Sequence, residues 1–245
     1  MIEDITASTK KLQIKPHGKG AWKTMLGKIS PQQERMILSL LNGCQTHSIY
    51  NILHLGFGDP EDDSIDVKKW SSSVHRLQRR ETVSDRGETS FELIRKFNVI
   101  YSDVIYEDED IKRFTNGYQT KLRSEEWFEG SVFPNNFSGC QTYQRIDAME
   151  MNLPDNSVDI IVAVGLFSKF VPSIWKNLDC VLSEIERVIK KSGMIILTLH
   201  SDYFEEFQKM VEQNTFSLTI LDSSTDTIPE ANRQGRRMLI QLHLI

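Results

Sequence analysis

Two carboxylates and a glycine turn are the features of this chain whose residue types and spacing could do chemistry. The turn lies in NILHLGFGDPEDD, residues 51–63, where an apolar run meets Gly56 and Gly58. Glycines at such a point let backbone approach a ligand closely, or simply let a strand bend into a capped helix, and the residues by themselves leave both readings open. The acids that follow narrow the ligand. Glu61, Asp62 and Asp63 already compensate the positive end of the helix that Asp59 and Pro60 would start, and they would repel phosphate. NAD and nucleoside triphosphates are therefore poor candidates. The two carboxylates are Asp103, closing NVIYSD, and Asp147, following TYQRI.

Other chemistries find less support. The six histidines show no HxH or HExxH spacing, and Cys44, Cys140 and Cys180 are too few and scattered for a disulfide framework or a paired CxxC zinc site. No metal is expected, and a reducing compartment is the simpler setting. There is no convincing nucleophile. Ser168 and Lys169, in the GLFSKF stretch, could touch a substrate, or could be a turn cap and a solvated lysine.

These residues need elements to hold them. Ser30-Pro31-Gln32-Gln33 supplies an N-cap, a proline at the first helical position and a capping-box glutamine, predicting a helix over 30–43 that Gly43 ends. IYNILHL reads as a buried strand, and Val67, Trp70, Val74 and Leu77 keep one face of the helix after it. The polar ETVSDRGET then leads to FELIRKF, read as a second short helical piece, and to the strand NVIYSDV. Residues 115–139 read as an insertion or lid whose Trp127, Phe128, Phe133 and Phe137 either cover a pocket or anchor the segment itself. TYQRI and VDIIVAVG are strands. The amphipathic helix of the region from Ser173 to Lys191, which Gly193 is expected to close, leads to the strand MIILTL. DYFEEFQKMVEQ reads as a helix, and FSLTIL and MLIQLHLI as two strands joined only by a loop. Alternating strands and helices predict one α/β domain over 30–245: a seven-stranded, mostly parallel sheet with helices on both faces and an antiparallel C-terminal hairpin.

The order of motifs resembles the class I, Rossmann-like S-adenosylmethionine-dependent methyltransferases. LPDNSVDIIVAVG followed by LSEIERVIKKSGMIILTL looks like that family's fourth strand, next helix and fifth strand, and the resemblance extends over roughly Tyr50 to Ile245. It implies methyl transfer from S-adenosylmethionine to an unidentified acceptor. It also implies roles. Gly56 and Gly58 match the turn beside the methionine part of the cofactor, His54 stands where the family has an acid, and Pro60 where a third glycine often lies. Asp103 matches the acid that accepts from both ribose hydroxyls, and Asp147, with Ala148, the acid at the adenine amino group. Gly165, at the end of the fourth strand, joins this cofactor-lining set. The family's proline-paired tetrapeptide for amino and amide acceptors is absent after Gly165, so N-methylation of that type loses support. Holding acceptor and sulfonium in line can carry such a reaction without a general base. With a histidine in place of the acid, the alternative is a catalytically inactive, methyltransferase-like binding or scaffold subunit.

Charge leaves the partner open. The net charge of −5 and pI near 5.7 give no global attraction to nucleic acid. Yet residues 1–29 form a basic arm, with six lysines and no acid between Lys10 and Lys28 and Trp22 among them, and Arg233, Arg236 and Arg237 add charge elsewhere. Such an arm either contacts an RNA or DNA backbone or stays solvated. A protein partner is equally open. No signal peptide or membrane span is read, so the expected location is intracellular, cytoplasmic or nuclear.

Overall fold

The computed structural model of the chain describes residues 29–46, 48–57, 70, 73, 74, 76–104, 106–112, 141–167, 172–223 and 237–245. The arm expected over 1–29, apart from Ile29, and the insertion expected over 115–139 lie outside them.

The first helix, α1 (Pro31–Asn42), starts on the capping box read from the sequence. Ser30 Oγ accepts from Gln33 N at 3.1 Å, and Gln33 Oε1 accepts from Ser30 N at 3.2 Å. Two otherwise orphaned donors are thereby satisfied. At the other end the buried Arg95 donates to the Leu41 and Asn42 carbonyls, placing a cation at the negative end of the helix dipole. Ile37 and Leu41 are fully buried against the sheet.

Seven strands form that sheet: β1 (Ile49–Leu55), β4 (Lys96–Ser102), β5 (Gln141–Gln144), β6 (Val158–Phe167), β7 (Ile189–His200), β8 (Phe216–Asp222) and β9 (Arg237–Leu244). Their spatial order is β5-β4-β1-β6-β7-β9-β8. The pairs from β5 to β7 are parallel, while β9 is antiparallel to both β7 and β8. The sheet and closing hairpin are thus those the alternation predicted.

Side chains alternate across the sheet, and each face has its own core. Leu53, Leu55, Ile161 and Ala163 face the helices α3 (Leu178–Val188) and α4 (Phe204–Gln213). Ile52, Val99, Tyr101, Ile160 and Val162 face α1 and the helical residues Trp70 and Val74, both fully enclosed. In α3 the buried positions are Leu178, Val181, Leu182, Ile185 and Val188, one stripe at helical spacing. Each such side chain stabilises the fold by about 1.5–3 kcal/mol.

Three local readings change. FELIRKF is not helical: Arg79–Val83 (β2) and Thr89–Leu93 (β3) form a separate antiparallel hairpin inserted before β4. Its loop closes because Gly87 adopts φ +76° and its N–H donates to Ser84 O at 2.8 Å. A glycine in a short loop favours a hairpin over a helix break, and the polar flanks hid the two-residue period. The amphipathic region divides into a short helix, α2 (Pro172–Lys176), and α3, which gives way directly to β7 at Ile189. Gly193 is therefore a buried strand residue and not a helix stop. Finally, the strand at TYQRI ends at Gln144, so Asp147 sits in the turn beyond it.

A Cβ on Gly193 would lie 2.5 Å from Ile189 Cγ1 and 2.8 Å from Lys190 O. Gly193→Ala should lower unfolding free energy by about 1–3 kcal/mol in urea titration, and an unchanged midpoint would show that the strand yields there without cost.

Candidate active site

Because β1, β4, β5 and β6 run parallel, their C-terminal ends open at one edge of the sheet. Strand order reverses between β1 and β6, since the chain moves outward from β1 to β4 and β5 and then returns to β6 on the other side. In open α/β sheets such a reversal leaves a crevice outside the strand ends where ligands bind.

At the end of β1 the chain turns at Gly56 with φ +71°, a conformation that favours glycine. The turn is pinned to β4: Phe57 N donates to Ser102 O at 2.9 Å, and Ser102 Oγ donates to His54 O at 2.9 Å. A Cβ on Gly56 would meet Leu166 Cδ1 at 3.2 Å, so Leu166 leans on the turn from the end of β6. Asp103 follows Ser102, is 8% exposed, and donates its N–H to Gln144 O at 3.4 Å. Asp147 begins a tight turn: Glu150 N donates to Asp147 O at 3.2 Å, and Asp147 Oδ1 accepts from Met149 N at 2.9 Å. Ala148, within that turn, is buried. On β6, Gly165 has φ +80° and its N–H donates to Thr198 Oγ1 at 3.0 Å.

His54 takes a different place. Its side chain points with Ile52 into the face covered by α1, and it is 0% exposed. The imidazole stacks on Tyr101 with ring centres 5.0 Å apart and meets Trp70 and Phe57 edge-on. Trp70 Nε1 donates a long hydrogen bond, 3.4 Å, to His54 Nε2. Burial pushes the His54 pKa down from 6.5 to about 3, because this apolar enclosure disfavours the cation. At neutral pH the group is an uncharged, enclosed ring.

Residues 124–197 match the family model for a methyltransferase domain, and the sheet they run into has the reversed strand order just described. Over those residues the chain is similar to the methyltransferase-domain family, and its sheet has the Rossmann-like order. Among the solved structures that match, two illustrate the shared fold. The YcgJ protein of Bacillus subtilis matches it with a TM-score of 0.50 at 13% identity, covering 86% of this chain and 97% of that one. A SAM dependent methyltransferase from Aquifex aeolicus matches with a TM-score of 0.50 at 12% identity, covering 88% and 94%. At those identities the likeness is one of fold. The U6 snRNA (guanine-N(2))-methyltransferase THUMPD2 of Homo sapiens is 34% identical over 82 residues, which are 34% of this chain and 16% of that protein. The chain thus spans 16% of the length of this curated relative.

Of the site residues expected from this class I pattern, Gly56, Asp103, Asp147, Ala148 and Gly165 lie in or just beyond strands that open at the same edge. Gly58, Ser168 and Lys169 are outside the described residues. Sequence reasoning passed over Ser102, Leu166 and Thr198. Ser102 stands next to Asp103, but only pairing of β1 with β4 reveals that it ties the turn. No group of acids, histidines and cysteines among the described residues could hold a metal ion, and no described helix is long and apolar enough to cross a membrane.

The lowered His54 pKa has a pH signature. Between about pH 3 and 6.5 the unfolded chain binds a proton there that the folded chain does not, so this residue's contribution is complete above 6.5 and falls as pH drops toward 3. Comparing His54→Leu with the unaltered chain, the difference in stability should change by about 1.4 kcal/mol per pH unit below pH 6, measured by urea unfolding. A constant difference from pH 7.5 to pH 4.5 would show that the imidazole is not held neutral.

Proposed function

We propose that the chain binds S-adenosylmethionine at the strand-end crevice and transfers its methyl group to an acceptor, with RNA as the acceptor class to test first. The observation that carries this reading is the convergence of Gly56, Asp103 and Asp147 on one sheet edge, at the point where strand order reverses.

The residues suit the adenosine half of the cofactor. Asp103, at the end of β4, offers two acceptor oxygens for vicinal ribose hydroxyls, and Asp147 offers an acceptor for an exocyclic amino group beside the buried, apolar Ala148. Ser102, bonded to the β1 backbone, fixes the distance between Asp103 and the glycine turn. When bound, the cofactor supplies an electrophilic methyl group: the acceptor's lone pair forms a bond to carbon as the carbon–sulfur bond breaks, leaving S-adenosylhomocysteine, while the acceptor's proton goes to water. The chain's part is to bind and align, which can account for most of the acceleration in such a displacement.

The methionine half is less well served. His54 presents no charge to an ammonium group, and Leu166 crowds Gly56 from the facing strand. These two residues support the second reading, a methyltransferase-like scaffold without catalysis. RNA is favoured as acceptor by the local likeness to a U6 snRNA methyltransferase and by the lysine-rich residues 10–28.

Calorimetric titration separates the two readings. The unaltered chain should bind S-adenosylmethionine, and both Asp103→Asn and Asp103→Ala should weaken binding by about tenfold or more through loss of charged hydrogen bonds. Absence of heat at millimolar ligand with the folded, unaltered chain would favour the scaffold. Separately, removing residues 1–29 should reduce RNA affinity and flatten its salt dependence in filter binding; an unchanged slope would remove the arm from the acceptor site.

A further inference from the structure

The turn that carries Asp147 is held from a neighbouring helix by a pair of charged side chains that the proposed reaction does not itself use. Glu184 and Arg187 lie one turn apart on α3, and Arg187 grips Glu184 through two bonds, Nε to Oε1 at 2.9 Å and Nη2 to Oε2 at 2.8 Å. Together they take both backbone groups of one residue, Met151. Its N–H donates to Glu184 Oε2 at 2.7 Å, and its carbonyl accepts from Arg187 Nη2 at 2.7 Å. Met151 directly follows Glu150, the residue whose N–H closes the turn onto Asp147 O. Further along, Arg187 Nη1 donates to Leu153 O at 2.8 Å and to Asp155 Oδ1 at 2.6 Å. The backbone joins in as well, with Asn156 N donating to the Arg187 carbonyl at 2.9 Å.

A guanidinium has five donors in a fixed plane, and here that plane makes five bonds, two to Glu184 on its own helix and three to a loop that has little regular structure of its own. Lysine, a point charge on a flexible stem, could not reproduce the set. The Arg187 bond also keeps the Glu184 carboxyl below the usual carboxylate range, so Glu184 remains an acceptor for Met151 in mildly acidic solution. The core needs less than this. Ile146, Ala148 and Met151 are already buried against α3 and its neighbours, and apolar packing of that kind leaves the rotation of a short turn about its ends less defined than directed hydrogen bonds do.

We infer that Glu184 and Arg187 are positioning residues: through both backbone groups of Met151 they set the turn so that Asp147 meets the exocyclic amino group of an adenine ring, and so give the site its choice of base. This rests on the cofactor reading above.

The test compares S-adenosylhomocysteine with S-inosylhomocysteine, in which an oxo group replaces the amino donor. The unaltered chain should prefer the adenine ligand by about tenfold or more, the worth of one hydrogen bond to a charged acceptor. Arg187→Lys and Glu184→Gln should each bring that ratio close to one, as should Asp147→Ala, whereas Asp103→Asn should weaken both ligands in parallel and keep the ratio. Glu184→Gln keeps the side-chain volume but turns an amide NH2 toward the Arg187 donors, so it releases the guanidinium without emptying the site, and thermal melts will register any simple unfolding. A lowered melting temperature with the base preference intact would overturn the positioning role and leave the pair a structural brace. An unaltered chain that binds both ligands equally would also overturn it. Binding of neither ligand by the unaltered chain would remove the cofactor reading, and this inference with it.

Discussion

Parallel pairing of β1 with β6 is the constraint on which the rest of the molecule depends. Ile52, Leu53 and His54 lie opposite Ile160, Ile161 and Val162, and this register places both strands' C-terminal ends at the same edge. Since parallel strands need crossovers, the chain has to leave and return at a distance, and the two directions of leaving create the reversal in strand order. On the other side of β1, its pairing with β4 and that of β4 with β5 make neighbours of the glycine turn, the acid after β4 and the turn after β5. A different register would flip Leu53 and Leu55 out of their core and carry the turn with them.

The same two-residue period explains His54. Leu53 and Leu55 are committed to one face, so His54 is committed to the other, where Tyr101 and Trp70 wait. Pairing continues the theme across the sheet: His54 lies opposite Tyr101, and Tyr101 opposite Tyr143, giving a row of stacked rings beneath the strand ends. Aromatic pairs of this kind contribute about 0.5–1.5 kcal/mol beyond their buried area. The row supports the turn from below and costs the site a charge.

Opposite that apolar row, the loop between β5 and β6 is controlled by ions and backbone. Glu184 and Arg187 are half-buried, at 21% and 32% side-chain exposure, which leaves water to moderate their attraction. Their value lies in geometry, because several directed bonds from one rigid plane restrict a loop that packing alone would define loosely. A second charged link, Lys190 to Asp159 at 2.8 Å, works at the start of the central strands, where Asp159 also accepts from Asn51 N at 2.8 Å. The two ends of the sheet are thus organised by different means.

Periodicity and punctuation in the sequence determined the class of fold, the capped first helix and the closing hairpin, because these follow from local spacing and from the order of elements. Even there, short segments misled: five-residue strands such as β2 and β3 are too brief for their period to outweigh a helical spacing of Phe91, Ile94 and the residues around them, and Gly193 reads alike as a helix stop or a close-packed strand residue. Gly56, Asp103 and Asp147 could be picked out as candidates by type and position. Which way each side chain faces could not, because direction depends on strand register, and register is fixed by partners far away in the chain. Tertiary structure alone decided that His54 is enclosed, that Ser102 ties the glycine turn, and that Arg187 reaches back more than thirty residues to hold Met151, since all three are consequences of long-range pairing.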